Sequence, residues 1–87
     1  MIRLWAKTIK GQKITKSFIY ESIDNFTEET FYLHIQELCH KIDIPTPVIL
    51  DFHIRNYINF NNCSFLPRDF VESINFDKLI IEDASLK

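Results

Sequence analysis

Hydrophobic and polar positions alternate along most of the first twenty residues. The runs Ile2 to Lys10 and Lys13 to Tyr20 are rich in β-branched and aromatic residues and flank Gly11 and Gln12. A two-residue loop that begins with glycine is typical of a type II′ turn between antiparallel strands. The pattern therefore predicts an N-terminal β-hairpin.

The two-residue loop also predicts a register for this hairpin. It places Ile9 opposite Ile14, Lys7 opposite Lys16, Trp5 opposite Phe18 and Arg3 opposite Tyr20. One face then carries Arg3, Trp5, Lys7, Ile9, Ile14, Lys16, Phe18 and Tyr20, and the other carries Ile2, Leu4, Ala6, Thr8, Thr15, Ser17 and Ile19. A slip of one residue on either strand would exchange the faces of that strand. The sequence leaves open which face is buried.

A helical period follows, and it predicts a helix over 27–42. Thr27 suits the N-cap, and acidic residues after it suit the positive end of the helix dipole. Phe26 and Phe31 have the spacing of a hydrophobic staple. The predicted buried stripe consists of Phe31, Ile35, Leu38, Cys39 and Ile42. His34 and His40 are expected on the helix surface.

The stretch from Asp43 to Asp83 holds all three prolines and is harder to assign. Pro45 and Pro47 should end the first helix, and Thr46 before Pro47 is a good start for a second helix near 47–59. Residues 48–60 also fit strand alternation, so periodicity alone does not decide. Downstream, residues 65–67 are expected to be extended, 68–73 to hold one helical turn, and 76–83 to form a strand.

These elements together predict a single α+β domain spanning residues 1–87. The hairpin and the C-terminal strand are expected to form a small antiparallel sheet of three strands. That sheet is expected to pack against two helices, mainly on one face.

The runs IPTPVIL, NNCSFLPRDFVES and FDKLIIE, with His53 between the first two, form a distinctive pattern. The chain resembles a group of small uncharacterised bacterial proteins of about 90 residues, over most of its length and most densely in residues 44–82. It implies no activity, cofactor or ligand, and therefore assigns no functional residues.

Composition removes several function classes. Gly11 is the only glycine, so the chain has no glycine-rich loop of the kind that binds nucleotide phosphates. We find no leader sequence and no apolar run of about 20 residues, which predicts a cytoplasmic protein without a membrane partner. Cys39 and Cys63 lack a framework spacing and are expected to be buried, reduced thiols.

Charge is distributed unevenly along the chain. The first twenty residues contain five basic residues and no acidic residue, whereas the remainder contains five basic and twelve acidic residues. The favoured interpretation is internal, with an acidic C-terminal strand bearing Asp77, Glu82 and Asp83 beside a basic hairpin strand. The alternative is a basic surface for nucleic acid.

Candidate chemistry is sparse. His34, Cys39, His40, His53 and Cys63 could be imagined as zinc ligands, but they lack the paired spacing of structural zinc sites. We therefore predict no metal and no cofactor. His53, Arg55, Arg68 and Asp69 are polar candidates for an acid–base pair or an anion clamp. A solvated helix face and a capping Asp69 are the plainer interpretation.

The sequence thus favours a small, non-enzymatic protein-interaction or accessory module. The expected partner is an unknown protein or a second copy of the chain. The candidate interaction surface is the hairpin face with Arg3, Trp5, Lys7, Lys16, Phe18 and Tyr20. The alternatives are a nucleic-acid-binding domain that uses the basic hairpin, and a small enzyme centred on His53.

Overall fold

A computed structural model describes residues 1–85, which form one open four-stranded antiparallel sheet and two α-helices. The elements are β1 (Ile2–Lys10), β2 (Lys13–Ser22), α1 (Glu28–Lys41), α2 (Asp51–Phe60), β3 (Asn62–Phe65), a 3₁₀ turn (Pro67–Asp69) and β4 (Lys78–Asp83). The strand order is β2-β1-β4-β3. The structure confirms an α+β fold in which the hairpin and the C-terminal strand share a sheet with helices packed against it.

The hairpin forms, but most of the predicted register is wrong. Gly11 has a φ of 62° in the loop, and Ile9 pairs with Ile14 as expected. The next pair is Thr8 with Lys16, so Thr15 is an extra residue and makes a β-bulge. The hydroxyls of Thr8 and Thr15 lie 2.7 Å apart across this bulge. The bulge shifts every later residue of β2 by one position.

As a result, the two hairpin strands share faces differently from the prediction. Leu4 pairs with Tyr20, Ala6 pairs with Phe18 and Trp5 pairs with Ile19. The face with Leu4 and Ala6 packs into the core, which decides the question that the sequence left open. Ile19, which was predicted to share that face, points to the opposite side and is 42% exposed.

A fourth strand corrects the predicted three-stranded sheet. β3 begins at Asn62, three residues before the expected extended piece, and pairs with β4. Cys63 and Phe65 alternate with exposed residues and are buried. Because β4 lies between β1 and β3, it links the N-terminal hairpin to the C-terminal half of the chain.

Helix α1 has the predicted cap and buried stripe. Thr27 Oγ1 accepts a hydrogen bond of 3.1 Å from the Thr30 N–H, and the rings of Phe26 and Phe31 lie 5.6 Å apart. The fully buried side chains of the helix are those of Phe31, Ile35, Leu38 and Cys39. They cover the face of the sheet formed by Ile2, Leu4, Ala6, Tyr20, Cys63, Phe65, Leu79 and Ile81.

Residues 51–60 form helix α2 and not the alternative strand, but the helix begins at Asp51 instead of near Pro47. The preceding residues stay outside the helix because the Val48 N–H donates to the Asp69 carbonyl at 2.8 Å. Leu50 takes the N-cap position in place of Thr46, although a leucine side chain cannot accept a hydrogen bond. The side chain of His53 instead accepts the N–H of Leu50 itself, as described below.

Candidate functional site

The helices leave one side of the sheet uncovered among residues 1–85. None of the side chains on this open face is buried, whereas most of those on the other face are buried in the core. The open face consists of Arg3, Trp5, Lys7 and Ile9 from β1, Ser17, Ile19 and Glu21 from β2, Lys78, Ile80 and Glu82 from β4, and Asn62 and Ser64 from β3. We call it the open sheet face.

Trp5 lies in the middle of this face on a central strand. It is 36% exposed, and its neighbour across the β1–β2 pair is Ile19. The indole Nε1–H donates a hydrogen bond of 2.8 Å to Ser17 Oγ, so the polar atom of the ring has a partner within the protein. The exposed part of the ring is therefore an apolar surface held in a fixed orientation.

Two pairs of oppositely charged side chains lie on the open sheet face. Lys7 Nζ lies 2.8 Å from Glu82 Oε1 of β4, and it also lies 4.0 Å from the centroid of the Trp5 ring. Arg3 Nε lies 3.1 Å from Glu21 Oε2 of β2. The acidic C-terminal strand thus runs beside the basic strand β1, as the internal interpretation predicted, and Glu82 is the residue of β4 that pairs with a hairpin lysine.

The six residues predicted as an interaction surface do not share a face. Arg3, Trp5 and Lys7 lie on the open sheet face, but Lys16, Phe18 and Tyr20 lie on the side that the helices cover. Lys16 Nζ donates to the Ile42 carbonyl at the end of α1, and Tyr20 is buried. The bulge at Thr15 is the physical reason, because it exchanges the faces of the later β2 residues.

Tyr20 instead belongs to a polar cluster that the sequence analysis missed. Its hydroxyl donates to Glu37 Oε1 at 2.9 Å and lies 2.9 Å from His34 Nδ1. Since the phenol has one proton, Nδ1 of His34 must be the donor in that second contact. Burial and the neighbouring Glu37 carboxylate raise the pKa of Tyr20 to about 12. The cluster therefore fastens β2 to α1 through a neutral phenol.

His34 was expected on the helix surface, and that prediction is wrong. Only 5% of the residue is exposed, because the side chain lies against Tyr20 with ring centroids 5.6 Å apart. Its Nε2 atom lies 4.0 Å from Asp24 Oδ2. The i, i+3 spacing of His34 and Glu37 places both on the flank of α1 that faces β2.

His53 and Asp69, two of the four polar candidates, are brought together by the structure. His53 is fully buried, and its Nδ1 accepts a hydrogen bond of 2.9 Å from the Leu50 N–H. Its Nε2 lies 3.4 Å from Asp69 Oδ2, an atom that also accepts the Leu66 N–H at 2.8 Å. Each side chain thus accepts a hydrogen bond from the N–H of the residue that precedes its own helical segment, as the third residue of a capping box does.

The surroundings of His53 favour its neutral form. Burial lowers its pKa below the ordinary value of 6.5, and the Asp69 carboxylate only partly opposes that effect. An Nδ1 that accepts a backbone N–H must carry no proton, so the proton of the neutral ring is on Nε2 and points to Asp69. Arg55 and Arg68, the other two candidates, have exposed side chains.

We expect His53 to make stability fall with acidity. Above pH 6.5 the contribution of the neutral ring is complete, and it is lost as pH drops from 6.5 through the lowered folded-state pKa, because the unfolded chain takes up the proton first. In His53→Gln the side chain can still accept the Leu50 N–H but does not titrate. Urea unfolding between about pH 7.5 and 5 should therefore show a smaller loss of stability for this variant than for the wild type.

The matched control is His40→Gln, which removes an exposed histidine from the surface of α1. It should keep the pH dependence of the wild type. Parallel stability curves for the wild type and His53→Gln would contradict the assignment of a neutral, capping His53.

The two cysteines are unpaired and buried. Burial raises the pKa of each thiol to about 12, so both are protonated at neutral pH and unsuited to nucleophilic chemistry. Across residues 1–85, no group of three or more His, Cys, Asp or Glu side chains is arranged to hold a metal ion.

Comparison with known proteins gives no match. No protein-family model, curated protein or solved structure matches the chain. The resemblance to small bacterial proteins therefore stays a prediction. Neither helix in the described part of the chain is long and apolar enough to cross a membrane.

Proposed function

We propose that this chain is a small, non-enzymatic protein-interaction module that receives a protein partner on the open sheet face. The observation that carries the proposal is the position of Trp5, which is 36% exposed on a central strand and has 42%-exposed Ile19 beside it. Tryptophan and arginine are enriched at the energetic centres of protein interfaces. A rigid indole with a satisfied N–H loses little entropy when a partner covers it.

The partner that best fits this face is a protein with an apolar patch and a mixed polar rim. Trp5, Ile19 and Ile80 provide apolar area, while Arg3 with Glu21 and Lys7 with Glu82 provide paired charges of both signs around it. Such a centre and rim are the usual anatomy of a non-obligate interface. Free buried thiols at Cys39 and Cys63 suit a reducing compartment and support a cytoplasmic setting.

Nucleic acid fits this face less well. Base stacking needs an open aromatic ring and unpaired cations for the phosphates. Here Lys7 lies 4.0 Å above the Trp5 ring and is paired with Glu82, and Arg3 is paired with Glu21. The feature that favours this alternative is the pair of exposed lysines at the hairpin end, Lys10 opposite Lys13, which lies away from the indole.

A small enzyme centred on His53 has less support still. A general base must reach the proton that it abstracts, whereas His53 is fully buried and uses Nδ1 to cap α2. The arrangement explains His53 and Asp69 as structural residues.

The proposal is tested by affinity capture with the wild type, Trp5→Ser and Val71→Ser. Val71 is 89% exposed and lies outside the sheet, so Val71→Ser is a matched loss of exposed apolar surface. We expect a protein that is enriched by the wild type and by Val71→Ser, and that is lost with Trp5→Ser. Since apolar burial drives the contact, enrichment should persist at high salt.

A second arm measures retention on mixed oligonucleotides across a salt series. A protein-interaction module should be retained weakly at every salt concentration. Tight retention that falls steeply with salt and is lost in a Lys10→Ser, Lys13→Ser variant would instead support the nucleic-acid alternative. Identical capture profiles for the wild type and Trp5→Ser would contradict the proposal.

A further inference from the structure

β2 is an edge strand, and half of it lacks the usual protection against pairing with another strand. Among residues 1–85, its only sheet neighbour is β1. Edges are commonly protected by bulges, lysines, prolines or short length. The bulge at Thr15, together with Lys13 and Lys16, protects only the half of β2 near the hairpin loop.

The other half of β2 is a regular strand without these features. The segment Ser17–Tyr20 reads Ser-Phe-Ile-Tyr, contains no charge and no proline, and has high β-propensity. By contrast, the opposite edge of the sheet is formed by β3, which is only four residues long. The sheet therefore has one edge suited to strand addition.

We infer that β2 pairs with β2 of a second copy of this chain, in antiparallel orientation about a two-fold axis at Ile19. Side chains of paired residues share a face, so a residue on the open sheet face must pair with another residue of that face. The register centred on Ile19 pairs all of residues 16 to 22 and stops before the bulge. Its pairs are Ile19 with Ile19, Ser17 with Glu21, Phe18 with Tyr20, and Lys16 with Ser22.

Charge along β2 favours this antiparallel partner. The first half of the strand carries Lys13 and Lys16, its last charged residue is Glu21, and Asp24 follows in the connection to α1. An antiparallel copy brings the basic end of one strand beside the acidic end of the other, and no like charges are opposite each other in the register given above. A second copy is therefore complementary to the edge in charge as well as in length.

The same two-fold axis leaves the open sheet faces of both copies on one side. Two four-stranded sheets would join into one sheet of eight strands, with both Trp5 side chains on a continuous surface. This inference depends on the β2 edge and goes beyond the proposed partner of the open sheet face.

Cross-linking tests the register. Opposite residues in antiparallel strands have Cα atoms about 4.5–5.5 Å apart, within the range that a disulfide spans. Mild oxidation of Ile19→Cys should give a disulfide-linked dimer. Ser17→Cys and Glu21→Cys should each form no disulfide cross-link when oxidised alone, because like residues are about 13 Å apart along the strands. A mixture of the two should give a cross-linked heterodimer. The wild type, in which both native cysteines are buried, is oxidised in parallel as the control.

Sedimentation across a dilution series tests the dimer without cysteines. The wild-type mass should rise from one chain to two as concentration increases. Ile19→Lys should stay at one chain because it places two ammonium groups opposite each other. Ile14→Lys changes a residue that is 53% exposed and outside the paired segment, so it should dimerise like the wild type.

A wild type that remains monomeric throughout, or Ser17→Cys cross-linking as readily as Ile19→Cys, would overturn the inference. These outcomes are distinct from those of the capture experiment. A monomer with a Trp5-dependent partner refutes the β2 dimer alone, and a dimer without such a partner refutes only the proposed function.

Discussion

Leu38→Ala is expected to lower the free energy of unfolding by about 2–5 kcal/mol, as truncation of a fully buried leucine does. Leu38 has no exposed surface and lies in the middle of the stripe with which α1 covers the sheet. Because Leu38 is packed between α1 and the sheet in a dense core, the cavity left by the lost carbon atoms should collapse only partly. Urea unfolding followed by circular dichroism measures the change.

Leu33→Ala is the matched control for this prediction. It makes the same substitution on the same helix, but Leu33 is 56% exposed. Its effect should remain within about 0.5 kcal/mol, the usual range at a surface. Equal destabilisation by the two variants would show that the helix phase described for α1 is incorrect.

Phe65→Ala should cost about 3–5 kcal/mol, the range for truncating a buried phenylalanine. Phe65 is fully buried in β3, pairs with Leu79 of β4, and its ring lies 4.3 Å from the ring of His53. The substitution therefore removes packing at the place where β3 meets the start of α2. Chemical unfolding again provides the measurement.

Ser64→Ala is the control that shows whether any substitution in β3 lowers the stability of the protein, or only one that removes buried packing. Ser64 is the preceding residue of the strand and points to the open sheet face, where it is exposed. Its change in stability should be within about 0.5 kcal/mol. A near-neutral Phe65→Ala would mean that β3 is not an integral strand of the sheet.

The elements that could be predicted from sequence are those determined by local signals. α1 has an N-cap threonine, a flanking Phe26–Phe31 contact and a helical stripe, and all three are found in the structure. The hairpin loop at Gly11 and the C-terminal strand were likewise recognisable from turn chemistry and β-rich composition. Each of these signals is contained within a few neighbouring residues.

The hairpin register depended on an interaction that the pattern did not reveal. Phe18, Ile19 and Tyr20 are consecutive apolar residues, so either face of β2 looked apolar. The tight loop fixes only two pairs, Lys10 with Lys13 and Ile9 with Ile14, and the bulge at Thr15 then decides the faces of the rest. This is why half of the predicted interaction surface lies under the helices and why Ile19 was missed.

The start of α2 depended on residues distant from the expected cap. Thr46 before Pro47 has the local signature of a helix start, but the Val48 N–H is bound by the Asp69 carbonyl. His53 then caps from inside the helix, and histidine is not among the residues that sequence rules associate with this role. Tertiary contacts outweighed local preference here.

Iodide quenching of Trp5 fluorescence tests most directly whether the open sheet face is uncovered. Trp5 is the only tryptophan of the chain, so all indole emission reports on this face. Trp5 is 36% exposed, and pairing of two β2 edges would not cover it. In the absence of the proposed partner, iodide should therefore quench the emission at every protein concentration tested. A blue-shifted emission that is protected from iodide in the monomer would contradict an open, partner-binding face.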